Sequence, residues 1–360
     1  MPYSLLLALA AAAVSLALTP LARRLALRAG AIDLPDERRV HTTPTPRFGG
    51  LAIAAGVLLV AWAARLLPGP AAALDPRPLI GLTCAAVPIL ALGMADDRWN
   101  VSPWVKLSVQ ACAALVLTLF GFDVPVLTNP FGPAIELGAF NAPITVLWVL
   151  VVTNAINLVD GLDGLAAGVV TIACCALWVT GRLHADFYVM FISALLIGSC
   201  LGFLRWNFPP ASVFMGDTGS QFLGLTLAAV SLLENRKGTA ALTLLLPLVA
   251  FGVPIADSAL ALVRRLVRRQ HVFRGDISHV HHQFLAVGLS PRAAMFAMWA
   301  LSAFFGTIAV LLTWLPRSWS ALLVTVLAAV LYVTLELLRT LRRARESGAA
   351  AAPRRDTRRR

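Results

Sequence analysis

Apolar runs of about 18 to 20 residues recur along almost the whole chain, and each is long enough to cross a bilayer as a helix. The chain has 360 residues, of which 59% are hydrophobic and 13% are charged. In soluble domains about 45–50% of the residues are apolar and about 25% are charged. The runs are continuously apolar, while the strands of an outer-membrane barrel would alternate. The sequence therefore predicts an all-α, polytopic integral membrane bundle. We predict about eleven transmembrane helices, at approximately 2–22, 48–67, 79–95, 103–120, 143–160, 164–181, 187–204, 214–233, 239–263, 292–314 and 318–338.

The basic residues predict the orientation of these helices. The first run has no basic residue before it and ARRLALR after it, which is the reverse of a secretory signal peptide. With the N-terminus outside and the C-terminus in the cytoplasm, 24 of the 30 lysines and arginines lie in cytoplasmic segments. Membrane topology thus accounts for the net charge of +12, and we predict no nucleic-acid partner.

The chain is predicted to form one transmembrane domain followed by a tail. Residues 1–338 make up the domain, and Pro254 is a candidate break within the span at 239–263. Residues 339–360 are rich in arginine and are predicted to be a disordered cytoplasmic tail close to anionic lipid.

Five polar blocks interrupt the apolar pattern, and the predicted topology places all of them on the cytoplasmic face. Polar residues scattered by chance would divide between the two faces, so we expect the chemistry of the protein on one face. The blocks are RVHTTPTPRFGG (39–50), MADDRWN (94–100), NLVDGLDG (157–164), FMGDTGS (214–220) and GDISHVHHQF (275–284).

The acids of two blocks are candidates for phosphate and metal chemistry. Asp96 and Asp97 are adjacent carboxylates, which are costly at membrane level unless they are paired, hydrated or close to a cation. A hydrated interfacial loop is the alternative, and Lys106 is a candidate phosphate partner. Asp217 is either an ordinary N-cap or, with its small neighbours, part of an anion site at a helix N-terminus. Magnesium prefers hard oxygen ligands, which Asp217 and Asn157 would supply.

The segment NAINLVDGLDGLAAG (154–168) carries its polar groups at helical spacing. Asn154, Asn157 and Asp160 are three residues apart and would share a helix face. The glycines that follow predict a helix end, so that Asn157 and Asp160 project into a cytosolic cleft. Asn154 is predicted to be a packing or hydrogen-bonding residue. For Asp163 the alternatives are an N-cap of the next helix and a substrate ligand.

Two basic blocks are candidate phosphate-binding segments. His279, His281 and His282 lack an HExxH pattern or a nearby cysteine. The arginines around them favour phosphate recognition over zinc. Arg47 lies in a loop with turn-forming prolines and glycines, for which an ordinary positive-inside loop is the alternative.

Taken in order, the blocks HTTPTPRFGG, ADD, NAINLVDGLDGLAAG, VFMGDTGS and HVHHQFLAVGLS resemble those of the polyprenyl-phosphate N-acetylhexosamine-1-phosphate transferases (glycosyltransferase family 4). They are most similar to the branch that transfers GlcNAc-1-phosphate from UDP-GlcNAc to undecaprenyl phosphate. That branch usually has arginines where this chain has Ile277 and Gln283, so the sugar or its diphosphate would be held differently here.

The resemblance implies an Mg²⁺-dependent enzyme, with Mn²⁺ as the alternative ion, in the bacterial inner membrane. It would release UMP and start a lipid-linked glycan for cell-envelope polysaccharide, with its active site on the cytoplasmic face. Its partners would be a UDP-sugar, a polyprenyl phosphate lipid and the membrane, with a homodimer left open. By the same resemblance, Asp217 and Asn157 would bind the metal, and Asp96, with Asp97 nearby, would position or deprotonate the lipid phosphate. Asp160 and Asp163 would bind the nucleotide-sugar. The diphosphate would be bound by His279, His281 and His282.

Three alternatives to this function stay open. The donor could be another UDP-N-acetylhexosamine or UDP-MurNAc-pentapeptide, and the transfer could be direct or pass through an aspartyl intermediate. A transporter is the non-enzyme alternative, although its polar groups would lie at the midplane of the membrane. Release of UMP that requires a polyprenyl phosphate would distinguish the enzyme from the transporter.

Overall fold

The computed structural model describes residues 2–35, 43–127, 135–234 and 280–314, together with isolated positions between 319 and 340. Two short antiparallel strand pairs join Ile32–Asp33 (β1) to Thr45–Pro46 (β2) and Val126–Leu127 (β3) to Ile135–Glu136 (β4). All other regular structure in the described residues is helical, with 3₁₀ turns at Pro70–Ala73 and Gly138–Phe140. The described α-helices are α1 (Pro2–Ala29), α2 (Gly49–Leu66), α3 (Pro76–Trp99), α4 (Pro103–Leu119), α5 (Asn141–Val159), α6 (Leu165–Leu183), α7 (Phe187–Asn207), α8 (Gly216–Glu234), α9 (Val280–Ala286) and α10 (Pro291–Leu312).

The helices confirm the predicted all-α, polytopic membrane class. Seven helical segments of the described chain are long and apolar enough to cross a membrane, and α4 is a shorter apolar helix. Each predicted span between residues 2 and 233, and the one at 292–314, coincides with a helix. The span at 239–263, with Pro254, lies outside the described residues, and the span at 318–338 and the tail at 339–360 are described at isolated positions at most. The total of eleven and the orientation therefore stay predictions.

Helix α1 is longer than its predicted span, which ended at residue 22. The segment LARRLALRA is composed of strong helix formers, so the helix continues beyond the apolar run. It ends where Gly30 adopts φ +68° and the Ala31 amide donates to the Ala26 carbonyl at 2.9 Å. The extra turns carry α1 and its arginines towards the loop that precedes α2.

Helix α8 is the centre of the bundle. Every side chain from Thr218 to Leu233 is buried, and the helix packs against α2, α3 and α5. A helix that is enclosed on all sides can be apolar all round. Close approach depends on glycine: a Cβ on Gly224 would lie 2.5 Å from the Thr153 Cα, and one on Gly93 would collide with the backbone of Thr218. The N-terminus of α8, with Asp217, is consequently surrounded by several helices.

Candidate active site

The N-terminus of α8 is held by the loop that leads into α2. The Phe214 amide donates to the Pro46 carbonyl at 2.8 Å, and the Gly49 and Gly50 amides donate to the carbonyls of Phe214 and Met215, both at 2.9 Å. A Cβ on Gly50 would collide with the backbone of Gly219, so the loop can approach α8 only with glycine there. Two of the polar blocks predicted to share a face are thus in direct contact.

Asp97 caps α8 from a different helix. Its carboxylate accepts hydrogen bonds from the Asp217 amide at 2.8 Å and from the amide and hydroxyl of Thr218 at 3.1 and 2.7 Å. A carboxylate in this position satisfies free N–H groups and interacts favourably with the helix dipole. Asp97 is only 7% exposed. The capping role that the sequence left open for Asp217 therefore belongs to Asp97, and the Asp217 carboxylate is available for other partners.

Lys106 lies between two carboxylates that come from different helices. Its ammonium pairs with Asp96 on α3 and with Asp217 Oδ2 on α8, the latter at 3.1 Å. Asp96 is 5% exposed and also accepts a hydrogen bond from the Val101 amide at 2.7 Å. The Asp217 side chain is 30% exposed and that of Lys106 is 27% exposed. Of the three charged groups, Asp217 and Lys106 are the two that a ligand can reach.

Asn157 completes this group from α5. Its amide nitrogen donates to the Ser220 hydroxyl at 3.0 Å, and Ser220 follows Asp217 by three residues on α8, so Asn157 lies on the same side of that helix as Asp217. Asp217 and Asn157 are the side chains of this group whose oxygens could bind a hard cation. The described residues contain no cluster of three or more His, Cys, Asp or Glu side chains with metal-binding geometry. We refer to Asp96, Lys106, Asn157 and Asp217 as the four-helix site, because α3, α4, α5 and α8 each contribute one of them.

Asp160 follows the last residue of α5, and the charges of the neighbouring acids affect the pKa of its carboxyl group. Burial, followed by the negative charges of Asp217 and Asp97, raises the pKa of the Asp160 carboxyl well above its usual range. The Arg47 guanidinium acts in the opposite direction. Asp160 is thus electrostatically coupled to the four-helix site, as its predicted position at a helix end suggested.

Residues 79–235, from α3 to the end of α8, match the family model of glycosyl transferase family 4. The chain is 38% identical to the probable undecaprenyl-phosphate N-acetylglucosaminyl 1-phosphate transferase of Bacillus subtilis, with 82% of this chain and 81% of the relative covered. It is 39% identical to the decaprenyl-phosphate N-acetylglucosaminephosphotransferase of Mycobacterium leprae, with 80% and 78% covered. It is 30% identical to the undecaprenyl-phosphate alpha-N-acetylglucosaminyl 1-phosphate transferase of Escherichia coli K12, with 86% and 85% covered.

The chain belongs to glycosyl transferase family 4. The family resemblance inferred from the five sequence blocks is confirmed. The matched segment contains all four residues of the four-helix site together with Asp97, Asp160 and Asp163.

Asp163 lies on the loop between α5 and α6, and the structure contradicts one of its two predicted roles, while the substrate role stays a prediction. The N-cap of α6 is Gly164, at φ +71° and without a side-chain cap, so the N-cap interpretation of Asp163 is wrong. Asp163 instead accepts a hydrogen bond from the Ala211 amide at 2.8 Å. Asn207 acts beside it, accepting from the Gly164 amide at 2.9 Å and donating to the Val213 carbonyl at 3.0 Å. Together they tie the start of α6 to the connection between α7 and α8 in this family 4 chain.

The basic candidates are only partly described. Arg47 pairs with Asp33, next to the β1–β2 ladder, and so anchors the loop that contacts α8. His279 and Ile277 lie outside the described residues. His281 and His282 belong to α9, of which the structure describes the backbone at these two positions. The diphosphate role of the histidines stays a prediction.

Sequence reasoning missed Gln110 and Gln221, two polar residues inside apolar helices. Asn154, predicted to be a packing or hydrogen-bonding residue, donates to the Gln110 side chain at 2.8 Å and to the Leu150 carbonyl at 2.8 Å, which confirms that prediction. A polar side chain within an apolar membrane span indicates a contact with another helix, and this signal could have identified both glutamines.

Proposed function

We propose that this family 4 protein transfers GlcNAc-1-phosphate from UDP-GlcNAc to undecaprenyl phosphate, or to a related polyprenyl phosphate, and releases UMP. The observation that carries the proposal is the four-helix site, in which one ammonium lies between two carboxylates and the amide of Asn157 contacts the same helix as Asp217. The relatives support the substrate, because they are named for transfer of N-acetylglucosaminyl 1-phosphate to undecaprenyl phosphate or for N-acetylglucosamine phosphotransfer to decaprenyl phosphate.

In this proposal Lys106 binds the phosphates that approach the exposed side of the site. An oxygen of the lipid phosphate attacks the β-phosphorus of the UDP-sugar, and the bond from that phosphorus to the UMP oxygen breaks. Negative charge on the transferred group is then stabilised by the nearby ammonium. Asp96 is buried and paired with Lys106, which favours a positioning role for Asp96 over direct deprotonation of the lipid phosphate.

We infer that the reaction uses Mg²⁺, with Mn²⁺ as the alternative. Magnesium in phosphoryl-transfer sites is held by one or two carboxylates, substrate phosphates and water. One partly exposed carboxylate, Asp217, and one amide oxygen, Asn157, match that donor set, and the pairing of Asp217 with Lys106 indicates that its carboxylate attracts cations. When bound, such an ion neutralises charge on the diphosphate.

We also propose that the protein lies in the inner membrane of a bacterium and that its site faces the cytoplasm. Arginines gather at the end of the bundle that carries the site: Arg23, Arg24 and Arg28 lie on the last turns of α1, and the Arg98 side chain approaches Gly30. An excess of basic residues is typical of cytoplasmic ends.

Purified protein in detergent provides the test of this function. UMP release and lipid-linked product are measured with UDP-GlcNAc, UDP-GalNAc and UDP-MurNAc-pentapeptide, with and without undecaprenyl phosphate and Mg²⁺. We expect UMP release from UDP-GlcNAc only when the lipid phosphate and the ion are both present. Failure to release UMP from any donor would contradict the proposal, and preference for another donor would correct the sugar.

A further inference from the structure

A second polar layer lies about one helical turn deeper in the bundle than the four-helix site, and the proposed reaction does not use it. The Asn154 amide nitrogen donates to Gln110 Oε1 at 2.8 Å, and Gln110 Nε2 donates to Gln221 Oε1 at 3.3 Å. Gln110 and Gln221 are each 1% exposed. We call Gln110, Asn154 and Gln221 the amide layer.

The amide layer repeats the arrangement of the four-helix site on three of its helices, α4, α5 and α8. Gln110 follows Lys106 by four residues on α4, Gln221 follows Asp217 by four on α8, and Asn154 precedes Asn157 by three on α5. Residues three or four apart lie on one helix face. Each of the three site residues on these helices therefore has an amide about 4.5–6 Å further from the exposed end of the bundle.

The layer matters most for the position of α4. Helices α5 and α8 meet backbone to backbone where Gly224 approaches Thr153, so their separation is set by main-chain packing. Helix α4 packs against α3 and α5. The structure joins α4 to α8 through side chains, in the Lys106–Asp217 pair and the Gln110–Gln221 hydrogen bond. The distance between Lys106 and Asp217 thus depends on a contact that Gln110 makes.

The surroundings make this contact hard to replace. The Gln221 amide nitrogen is buried and has no hydrogen-bond partner among the described residues. The hydrogen bond from Gln110 to Gln221 Oε1 is therefore the one that the Gln221 side chain makes in this part of the structure. An amide in an apolar interior that loses its partner carries a large desolvation penalty. The core of a bilayer contains no water that could replace the lost partner.

We propose that Gln110, with Asn154 and Gln221, is a positioning residue that sets the distance between Lys106 and Asp217. The inference rests on the proposed function, since its measure is the rate of sugar-phosphate transfer. A displacement of about 1 Å at a reacting group costs up to about a hundredfold in rate. The amide layer therefore acts on turnover through the geometry of the charged pair, without touching the substrates.

The experiment compares Gln110→Leu, which removes the amide at similar volume, with Trp148→Phe. Trp148 Nε1 donates to the Ser231 hydroxyl at 2.9 Å, so the control removes a buried hydrogen bond between α5 and α8 far from the site. In detergent we expect kcat of Gln110→Leu to fall about tenfold or more, with KM for UDP-GlcNAc changed less than about threefold. Trp148→Phe should keep kcat within about twofold.

A double variant separates positioning from stability. Gln110→Leu/Gln221→Leu removes the unpaired glutamine and leaves only one N–H of Asn154 without its partner, so its thermal midpoint should return towards that of the wild type while kcat stays low. Wild-type kcat in folded Gln110→Leu would overturn the inference, and so would recovery of kcat together with the midpoint in the double variant. If Gln110→Leu does not fold, the double variant decides. Absence of UMP release by the wild type would instead refute the proposed function.

Discussion

The two ends of the helical bundle use acidic residues in different ways. At the end opposite the site, Asp75 accepts a hydrogen bond from the Arg77 amide at 3.0 Å and caps α3. Asp186 caps α7 in the same way, accepting from the amides of Tyr188 and Val189 at 3.0 and 3.1 Å. At the site end, Asp97 caps a helix that begins more than a hundred residues later in the chain.

The difference teaches where to look for function in a membrane bundle. An acid that caps its own helix stabilises a local turn and needs no other helix. At the site end the partners of Asp96, Asp97 and Asp217 lie on other helices or on the connection after α3, so the acids there fix the relative position of helices. An enzyme needs this arrangement because its reacting groups must be held in one geometry. The contrast is testable by removing acids from each end.

The largest effect is expected for Asp217→Asn. The substitution keeps the shape of the side chain but removes the charge that pairs with Lys106 and that we assign to the metal. We expect kcat for UMP release to fall about a thousandfold, with the thermal midpoint in detergent changed little, because Asp97 still caps α8. Activity within tenfold of the wild type would remove Asp217 from the proposed mechanism.

A smaller loss is expected for Lys106→Met. The methionine preserves the length of the side chain but leaves Asp96 and Asp217 without their shared cation, so we expect kcat to fall about a hundredfold. Raising the Mg²⁺ concentration should restore part of this loss, because the ion supplies positive charge that the missing ammonium no longer provides. A loss confined to KM for the donor would instead indicate that Lys106 only binds substrate.

The membrane spans could be predicted because they depend on local composition. Each apolar run from residue 2 to residue 233 became a helix, and Asn154 has the hydrogen-bonding role expected of it. Apolar length and helical spacing are properties of neighbouring residues, so no knowledge of the packing is needed.

The partners of the polar residues could not be predicted, because packing brings them together from distant parts of the chain. Asp163 looks like an N-cap in DGLDG, yet its partner is the amide of Ala211, and α6 begins after Gly164. The sequence pairs Asp97 with its neighbour Asp96, and nothing in the adjacent residues indicates that Asp97 reaches the amides of Asp217 and Thr218. These contacts arise because α3 and α8 approach closely at Gly93.

The smallest effect on activity, and the sharpest comparison, is expected from the matched variants Asp97→Ala and Asp186→Ala. Both residues are buried and both accept hydrogen bonds from the first amides of a helix, so each variant should lose about 1–2 kcal/mol of stability. Asp97→Ala should also lower kcat about tenfold, because the cap it removes holds the backbone of Asp217. Asp186→Ala should keep kcat within about twofold.

Thermal unfolding in detergent and UMP release, measured on the same preparations, check this pair. Equal losses of stability with unequal losses of turnover would show that capping at the site end sets the position of a reacting group. An equal loss of turnover in both variants would mean that activity follows overall stability, and the distinction between the two ends of the bundle would be wrong.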